Sequence, residues 1–415
     1  RLAIYGDGHL MLERSPKRIN GELYVPLSSL LPTTGWCVEY ARFDNLIEIE
    51  TGEGYPTSEI FVNVKDYGAV GDGKHDDREA ILEAFNAAVG TGKPSTLIFE
   101  SEKTYRVSER QDSFEFFDMD NIDNFTLEGN NSTLLFERPN NSFLNINNCT
   151  NIKLNNLSIE YDEHTSLYGR ILSVDAEKMS FVMEIPDGVA LPADDEWAWY
   201  WNQTHPYGPW WFGQIMDPVE DRLKFLPFDN LFVQSINHIE GRKYKVQAKQ
   251  TSPTTMALIQ PDDRFVVKSR WTSYDFGEYQ KYGRPDFIYV SDSKDVIFDG
   301  IYSTGALNML VGAERNEGRI VFRNCEMRLK PGTLEVSNAD GVHAANNRFG
   351  VIIENCKFSN ALDDHINTKA HGAEVLDISN DYTIEVDYDL FYKEGDEIYF
   401  FNRSNHEMFA KAFVK

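Results

Sequence analysis

The stretch Asn338–Thr368 reads NADGVHAANNRFGVIIENCKFSNALDDHINT, and its reading decides the fold. One aspartate, Asp340, stands about twenty residues ahead of an adjacent pair, Asp363 and Asp364. Between them lies a β-forming run, Gly350 to Phe358, whose Val351, Ile352 and Ile353 are too apolar for a loop. A separation of that size is one coil of a parallel β-solenoid, in which residues one coil apart stack at roughly 4.8 Å. Three carboxylates would then converge on one patch. Paired carboxylates suit acid/base cleavage of a glycosidic bond, with one protonated for the leaving oxygen and one ionised to activate water. The competing reading is that these residues only turn corners, a duty that Asp and Asn favour.

Working outward, similar units recur: NIDNFTLEGNNSTLLF from Asn121, NCTNIKLNNLSIEYD from Asn148, DSKDVIFDGIYS from Asp292, EGRIVFRNCEMRL from Glu317 and RFGVIIENCKFSN from Arg348. Each is a short apolar strand, an Asn/Asp/Gly corner and another strand. Such units cannot bury their apolar face alone and must stack. The steps from Val296 to Val321 to Ile352 fit one coil each. Cys149, Cys325 and Cys356 each follow an Asn, which reads as small buried residues at equivalent points of successive coils. With Cys37 they make four cysteines, too few for a disulfide framework in 415 residues. The sequons at Asn131, Asn148 and Asn202 read as coil turns.

Between the second and third repeats the pattern changes to antiparallel alternation, as in GRILSVDAEKMSFVMEI and TTMALIQPDDRFVVKS, and residues 166–270 read as an inserted β-barrel. Residues 374–415 repeat that style and read as the start of a second barrel, so the chain is expected to be a fragment of a longer protein. Residues 1–55 stand apart as a small α+β unit with an apolar helix at Leu27–Leu31, closed by a Gly54–Thr57 linker. The β-helix itself is expected over 60–165 and 271–373. The segment Trp197–Gly213 carries five of the seven tryptophans. Aromatic rings stack on sugar C–H faces, which makes Trp210 and Trp211 candidates for substrate binding; the alternative is that they fill the barrel or its junction.

A formal charge of −26 argues against nucleic acid or an anionic membrane surface as partner. It argues less strongly against an anionic polymer, because a local basic pocket can override net charge. No run of 18 apolar residues is present to span a membrane. The expected partner is an oligosaccharide or polysaccharide substrate and the expected location is secreted or cell-surface. Composition is silent on oligomeric state.

Two further blocks carry family resemblances. Asp66-Tyr67-Gly68-Ala69-Val70-Gly71-Asp72-Gly73, then Asp76-Asp77 and Tyr105, resembles the opening of pectate-lyase-type and polygalacturonase-type right-handed β-helices. There a short helix plugs the end of the solenoid. Here its apolar face is Ala80, Ile81, Ala84, Phe85 and Ala88, and Asp76 or Asp77 caps it. Asn20-Gly21, Tyr24-Val25-Pro26-Leu27 and Asn45-Leu46-Ile47 resemble the N-terminal domain of copper amine oxidases, without a His cluster. Asn338-Ala339-Asp340 and Asp363-Asp364 match polygalacturonase motifs, His371-Gly372 echoes a third, and the R-x-K motif is absent. A closer match is to glycoside hydrolase family 110, the α-1,3-galactosidases. It runs through Ile159–Asp162 and Gly169, Asp340-Gly341-Val342-His343, Arg348-Phe349-Gly350, Glu354–Phe358 and Asp363-Asp364-His365-Ile366-Asn367. His365 stands where that family tends to place a small residue.

The resemblance implies inverting hydrolysis of terminal α-galactose, with no metal or organic cofactor. Asp340, Asp363 and Asp364 would share the acid and base roles. Adjacent carboxylates repel ionisation, so one is expected to titrate high enough to stay an acid. His343, His365, Asn367 and Lys369 are the neighbouring candidates for binding hydroxyls. An endo-acting polygalacturonase-like hydrolase and a polysaccharide lyase are the alternatives on this fold, the lyase with Arg348 or Lys369 as its basic group. A non-catalytic glycan-binding solenoid is the third.

Overall fold

The corners of the coils explain why so many asparagines punctuate the strands. In the computed structural model Asn156, Asn324 and Asn355 all adopt left-handed backbone, with φ of 52°, 53° and 52°, and Gly300 joins them at 68°. Asn tolerates that region because its short polar side chain bonds locally. Stacked corners also bond to one another: Asn355 Nδ2 donates to Asn324 Oδ1 at 2.7 Å, and Asn324 Nδ2 to Asp299 Oδ1 at 2.8 Å. A second ladder runs through Asn121, Asn148, Asp292, Arg315 and Asn346. Asn131 and Asn148, two of the sequon asparagines, are such left-handed corners.

The structure describes residues 58–108, 115–137, 142–162, 167–189, 191, 211–219, 222–227, 230–268, 287–306, 310–380, 382–387 and 391–415, with the backbone of six short strands before residue 51. These six pair as three antiparallel hairpins: Ala3–Tyr5 with Gly8–Leu10, Lys17–Ile19 with Glu22–Tyr24, and Cys37–Ala41 with Leu46–Glu50. The expected helix at Leu27–Leu31, the 54–57 linker, Asn202 and the tryptophans from Trp197 to Trp210 lie outside the described residues.

The body is a right-handed parallel β-helix. One sheet stacks Glu115–Asp120, Ser142–Asn147, Ile288–Ser291, Val311–Glu314, Val342–Ala345 and Ile366–Lys369, every neighbour parallel and in chain order. The other runs from Asp72–Asp76 through Thr104–Val107, Asp123–Phe136, Thr150–Tyr161, Lys294–Ser303 and Ile320–Arg323 to Val351–Glu354. Inward positions form one continuous core, including Phe125, Ile152, Val296, Phe298 and Phe322. Phe298 and Phe322 share a register position and stack at 5.0 Å. The register corrects one step of the sequence reading: Val296 faces Ile320, whereas Val321 does face Ile352. It also corrects the cysteines. Cys325 and Cys356 occupy equivalent points of adjacent coils, while Cys149 sits at a different corner, after Ser142–Asn147. All three are free thiols.

The helix Arg78–Val89 closes one end, burying Ile81, Ala84, Phe85 and Ala88. Phe85 meets Phe117 at 5.0 Å and Phe125 at 5.6 Å. Of the two aspartates expected to cap this helix, Asp76 bonds the first helical N–H and Asp77 does not. Asp77 makes no cap bond to the helix; its buried carboxylate accepts the backbone N–H of Val70 and Gly71, pinning the preceding loop. Asp76 accepts from Arg78 N and Ser108 N.

Among the described residues seven antiparallel strands interrupt the coils between Tyr161 and Ile288: Leu167–Asp175, Ser180–Glu184, Lys243–Ala248, Leu231–Glu240, Trp211–Asp217, Arg264–Lys268 and the short Arg222–Leu223, which pairs with Trp211–Asp217 alone. Arg264–Lys268 pairs with both Trp211–Asp217 and Leu167–Asp175, so the ring closes around Ile171, Phe181, Met183, Val246 and Phe265. Its outer face carries Met216 and Val266, which pack on Leu334 and Leu362 of the β-helix. After Lys369 come two hairpins, Val375–Asn380 with Thr383–Val386 and Glu397–Phe401 with Met408–Phe413. Arg348 holds Asp396 through two bonds of 2.7 and 2.6 Å, tying this segment to the coils. Among the described residues, no helix is long and apolar enough to cross a membrane.

Candidate functional site: three carboxylates on adjacent coils

Asp340 lies two residues before the strand Val342–Ala345, and Asp364 two before Ile366–Lys369. The ladder sets Val342 against Ile366, and ahead of the site Ser337 bridges Ala361. Both pairings have the same offset, so Asp340 and Asp364 occupy equivalent positions of consecutive coils, with Asp363 one residue earlier. Gly341 N donates to Asp364 O at 2.9 Å and Val342 N to His365 O at 3.0 Å, stitching the two coils together at this point.

Such closeness is why residue 341 is glycine. A Cβ there would lie 2.5 Å from His365 O and 3.0 Å from Met327 Sδ. The following coil therefore comes nearer than any side chain would allow, and the carboxylates follow it. One oxygen from each of Asp340, Asp363 and Asp364 lies within 4.8 Å of the others. The same three oxygens are near enough to share a cation, and among the described residues no other group of three or more His, Cys, Asp or Glu does so.

The three differ in surroundings. Asp340 is buried, at 5% exposure, and its Oδ2 accepts from Nδ1 of His343 at 2.6 Å. Asp363 and Asp364 are exposed, and Asp364 Oδ2 accepts from Asn367 Nδ2 at 3.1 Å. His343 and Asn367 are themselves register partners, so each orients the aspartate three residues before it. None of the three aspartates has positive φ, unlike the corner asparagines. They are therefore not left-handed corners of the kind the asparagines form.

The other candidates fall out unevenly. His365 has an exposed side chain, and its backbone carbonyl does the packing. Lys369 is exposed, pairs with Ala345 in the ladder, and has no ion-pair partner among the described residues. Arg348 is committed to Asp396. His371 is a corner residue: its N–H donates to Asn346 Oδ1, and its ring contacts the same side chain. Trp210 lies outside the described residues; the backbone of Trp211 pairs with Val233 in the barrel.

Two further residues escaped the sequence reading, one beside the aspartate pair and one two coils away on the same sheet. Leu362, at 1% exposure, docks against the barrel and directly precedes Asp363, so barrel packing positions the pair. Tyr289 shares a ladder position with Gly312 and His343, and its hydroxyl donates to Glu314 Oε2 at 3.1 Å on the same sheet. Neither belongs to a motif, and only a register assignment could have found them. A cleft of about 980 Å³ also lies between barrel and coils, and none of its lining residues belongs to the carboxylate cluster.

Comparison with known proteins gives the fold a partial family context. Residues 61–111 match the family described as rhamnogalacturonase A/epimerase, pectate lyase-like. Plasmin and fibronectin-binding protein A of Streptococcus pneumoniae is 52% identical over 48 residues, 12% of this chain and 6% of that protein. The endo-xylogalacturonan hydrolase of Aspergillus tubingensis superposes with a TM-score of 0.35 at 12% identity, over 75% of this chain and 56% of the other. A hyperthermoactive exopolygalacturonase of Thermotoga maritima gives 0.33 at 16% identity, over 76% and 56%. The chain thus spans little more than half the length of these two solved structures, and far less of the pneumococcal protein is matched. Residues 61–111 are thus similar to the opening segment of pectate-lyase-like β-helices.

Proposed function

We propose that the chain is the β-helical catalytic part of a secreted glycoside hydrolase. The observation that carries this reading is the convergence of Asp340, Asp363 and Asp364 within 4.8 Å on consecutive coils. In the proposed reaction one carboxyl protonates the departing glycosidic oxygen and another, ionised, activates water. His343 and Asn367 hold two of the carboxylates in place by hydrogen bonds. The finer assignment, a terminal α-linked galactose cleaved with inversion, rests on the Asp340–His343 and Asp363–Asn367 motifs. A lyase would have to use Lys369 as its basic group, because Arg348 is engaged by Asp396. The pectate-lyase-like match at 61–111 favours a glycan substrate without choosing the sugar.

A second stereochemical reading follows from the distance. Inverting enzymes separate their carboxyls by roughly 6.5–9.5 Å to admit water, whereas retaining ones hold them about 5 Å apart. With one oxygen of each carboxylate within 4.8 Å of the others, direct attack by one carboxylate is also within reach. A panel of p-nitrophenyl glycosides with α-1,3- and α-1,4-galactose oligosaccharides tests the substrate, and proton NMR of the first anomer released tests the route. β-Galactose appearing first supports inversion; α-galactose first supports retention. Asp340→Asn, Asp363→Asn and Asp364→Asn should each lower turnover by at least about 10²-fold. Full activity in Asp364→Asn would remove the site.

A further inference from the structure

We propose that the cleft between the barrel and the loop 329–334 is a second carbohydrate site, separate from the three aspartates and selective for a carboxylate-bearing sugar. It does not depend on the glycosidase reading. At about 980 Å³ the cleft is large enough for two or three sugar rings. Its charge runs against the molecule: five cations and three carboxylates line it, in a chain whose net charge is −26.

How those cations are held matters more than their number. Arg170 is matched by Glu184 and Asp262, and Lys243 by Glu240, so these charges largely cancel. Arg242 and Lys330 are different. Arg242 donates its Nε to Ile185 O at 2.8 Å and one terminal nitrogen to Pro186 O at 2.6 Å and to Val189 O. Lys330 donates to the backbone carbonyls of Tyr161 and Asp162. Neutral acceptors fix a cation's position without cancelling its charge. Arg242 pairs with one carboxylate, Asp187, at 3.6 Å, and that partner is fully exposed, so solvent screens the pair. The second terminal nitrogen of Arg242 has no bonded partner among the described residues and remains to donate.

Two cations fixed in one recess, Lys330 held by backbone carbonyls and Arg242 paired only with the fully exposed Asp187, are preorganised for an anion, since little side-chain freedom is lost on binding. Leu329, Pro186 and Pro331 supply the apolar wall that a sugar ring needs beside its charged group. Tyr168 spans the two bodies by donating its hydroxyl to Gly332 O, which keeps both walls together. A uronic acid residue in an oligosaccharide meets all three requirements: one carboxylate, hydroxyls and an apolar ring face.

The test uses the whole chain and titration calorimetry with α-1,4-trigalacturonate, its carboxyl-reduced neutral counterpart and a sulfated galactotriose. The trigalacturonate should bind at least about tenfold more tightly than the neutral sugar, and more weakly as salt rises. Gly241 supplies a variant that removes no anchor. It lines the cleft at φ +51°, and a Cβ there meets nothing within 4 Å. Asp and Asn both tolerate that backbone region. Gly241→Asp should weaken trigalacturonate binding about tenfold, while Gly241→Asn leaves it within about twofold. Arg242→Gln should also weaken it. Equal affinity for the neutral sugar, or a Gly241→Asp protein that binds as well as the native one, overturns the site. Tighter binding of the sulfated sugar overturns the carboxylate assignment.

Discussion

Replacing Gly341 by alanine probes the contact that sets the spacing of the proposed acid and base. The new Cβ would sit 2.5 Å from His365 O, and ordinary van der Waals contact begins at 3.4 Å, so the two coils must part by about 0.9 Å. The bonds from Gly341 N to Asp364 O and Val342 N to His365 O resist that movement. Overpacking of this kind costs about 1–3 kcal/mol of stability, which a β-helix of many coils absorbs without unfolding. Catalysis is more sensitive. A displacement of about 1 Å between reacting groups lowers turnover by about 10²-fold. Gly341→Ala should therefore keep its circular dichroism spectrum and melt slightly lower, with kcat on the best glycoside of the panel down about a hundredfold. Gly372→Ala is the control, since nothing lies within 4 Å of a Cβ there. A Gly341→Ala protein of native activity would show that the coil contact does not set the reacting geometry.

Other outcomes follow from the same geometry. Leu362→Ala should cost about 2–5 kcal/mol by leaving a cavity between barrel and coils, and should lower kcat because Asp363 is the next residue; native turnover would detach the barrel from the site. Arg348→Ala breaks a half-exposed bidentate pair, so the stability loss should stay near or below about 1 kcal/mol. Limited proteolysis within 391–415 should quicken, and an unchanged rate would refute the tether. Hydrogen bonding from Cys325 lowers the half-buried Cys356 thiol below its ordinary range, whereas burial pushes Cys149 up to about 11. Iodoacetamide should therefore alkylate Cys356 well before Cys149, read by peptide mass mapping; equal rates would refute the hydrogen bond.

Much of the β-helix was legible because its cause is local. Asn at a left-handed corner and alternating apolar residues on either side are properties of a few neighbouring positions. Asn148, Asn324 and Asn355 therefore mark corners before any coordinates are known. The helix face at Ile81, Ala84, Phe85 and Ala88 is equally local, and it is buried as its spacing requires. That Asp340 and the Asp363–Asp364 pair stand one coil apart could also be read, since the apolar run between them has room for a single strand.

What the chain alone could not decide was register, partner and distance, because these depend on loops of unequal length closing in space. The coil ending at Val342 carries more residues than the one ending at Ile366, so spacing alone could not say that Val296 meets Ile320, or that Cys149 leaves the line of Cys325 and Cys356. Capping chemistry was ambiguous for the same reason: Asp77 looked like a helix cap, yet tertiary closure gave its carboxylate to Val70 and Gly71. Residues 329–334 and the turn at Gly241 meet around one cleft only because a barrel folds between distant coils. Local preference wrote the coils; long-range packing set which carboxylates, cations and thiols face one another.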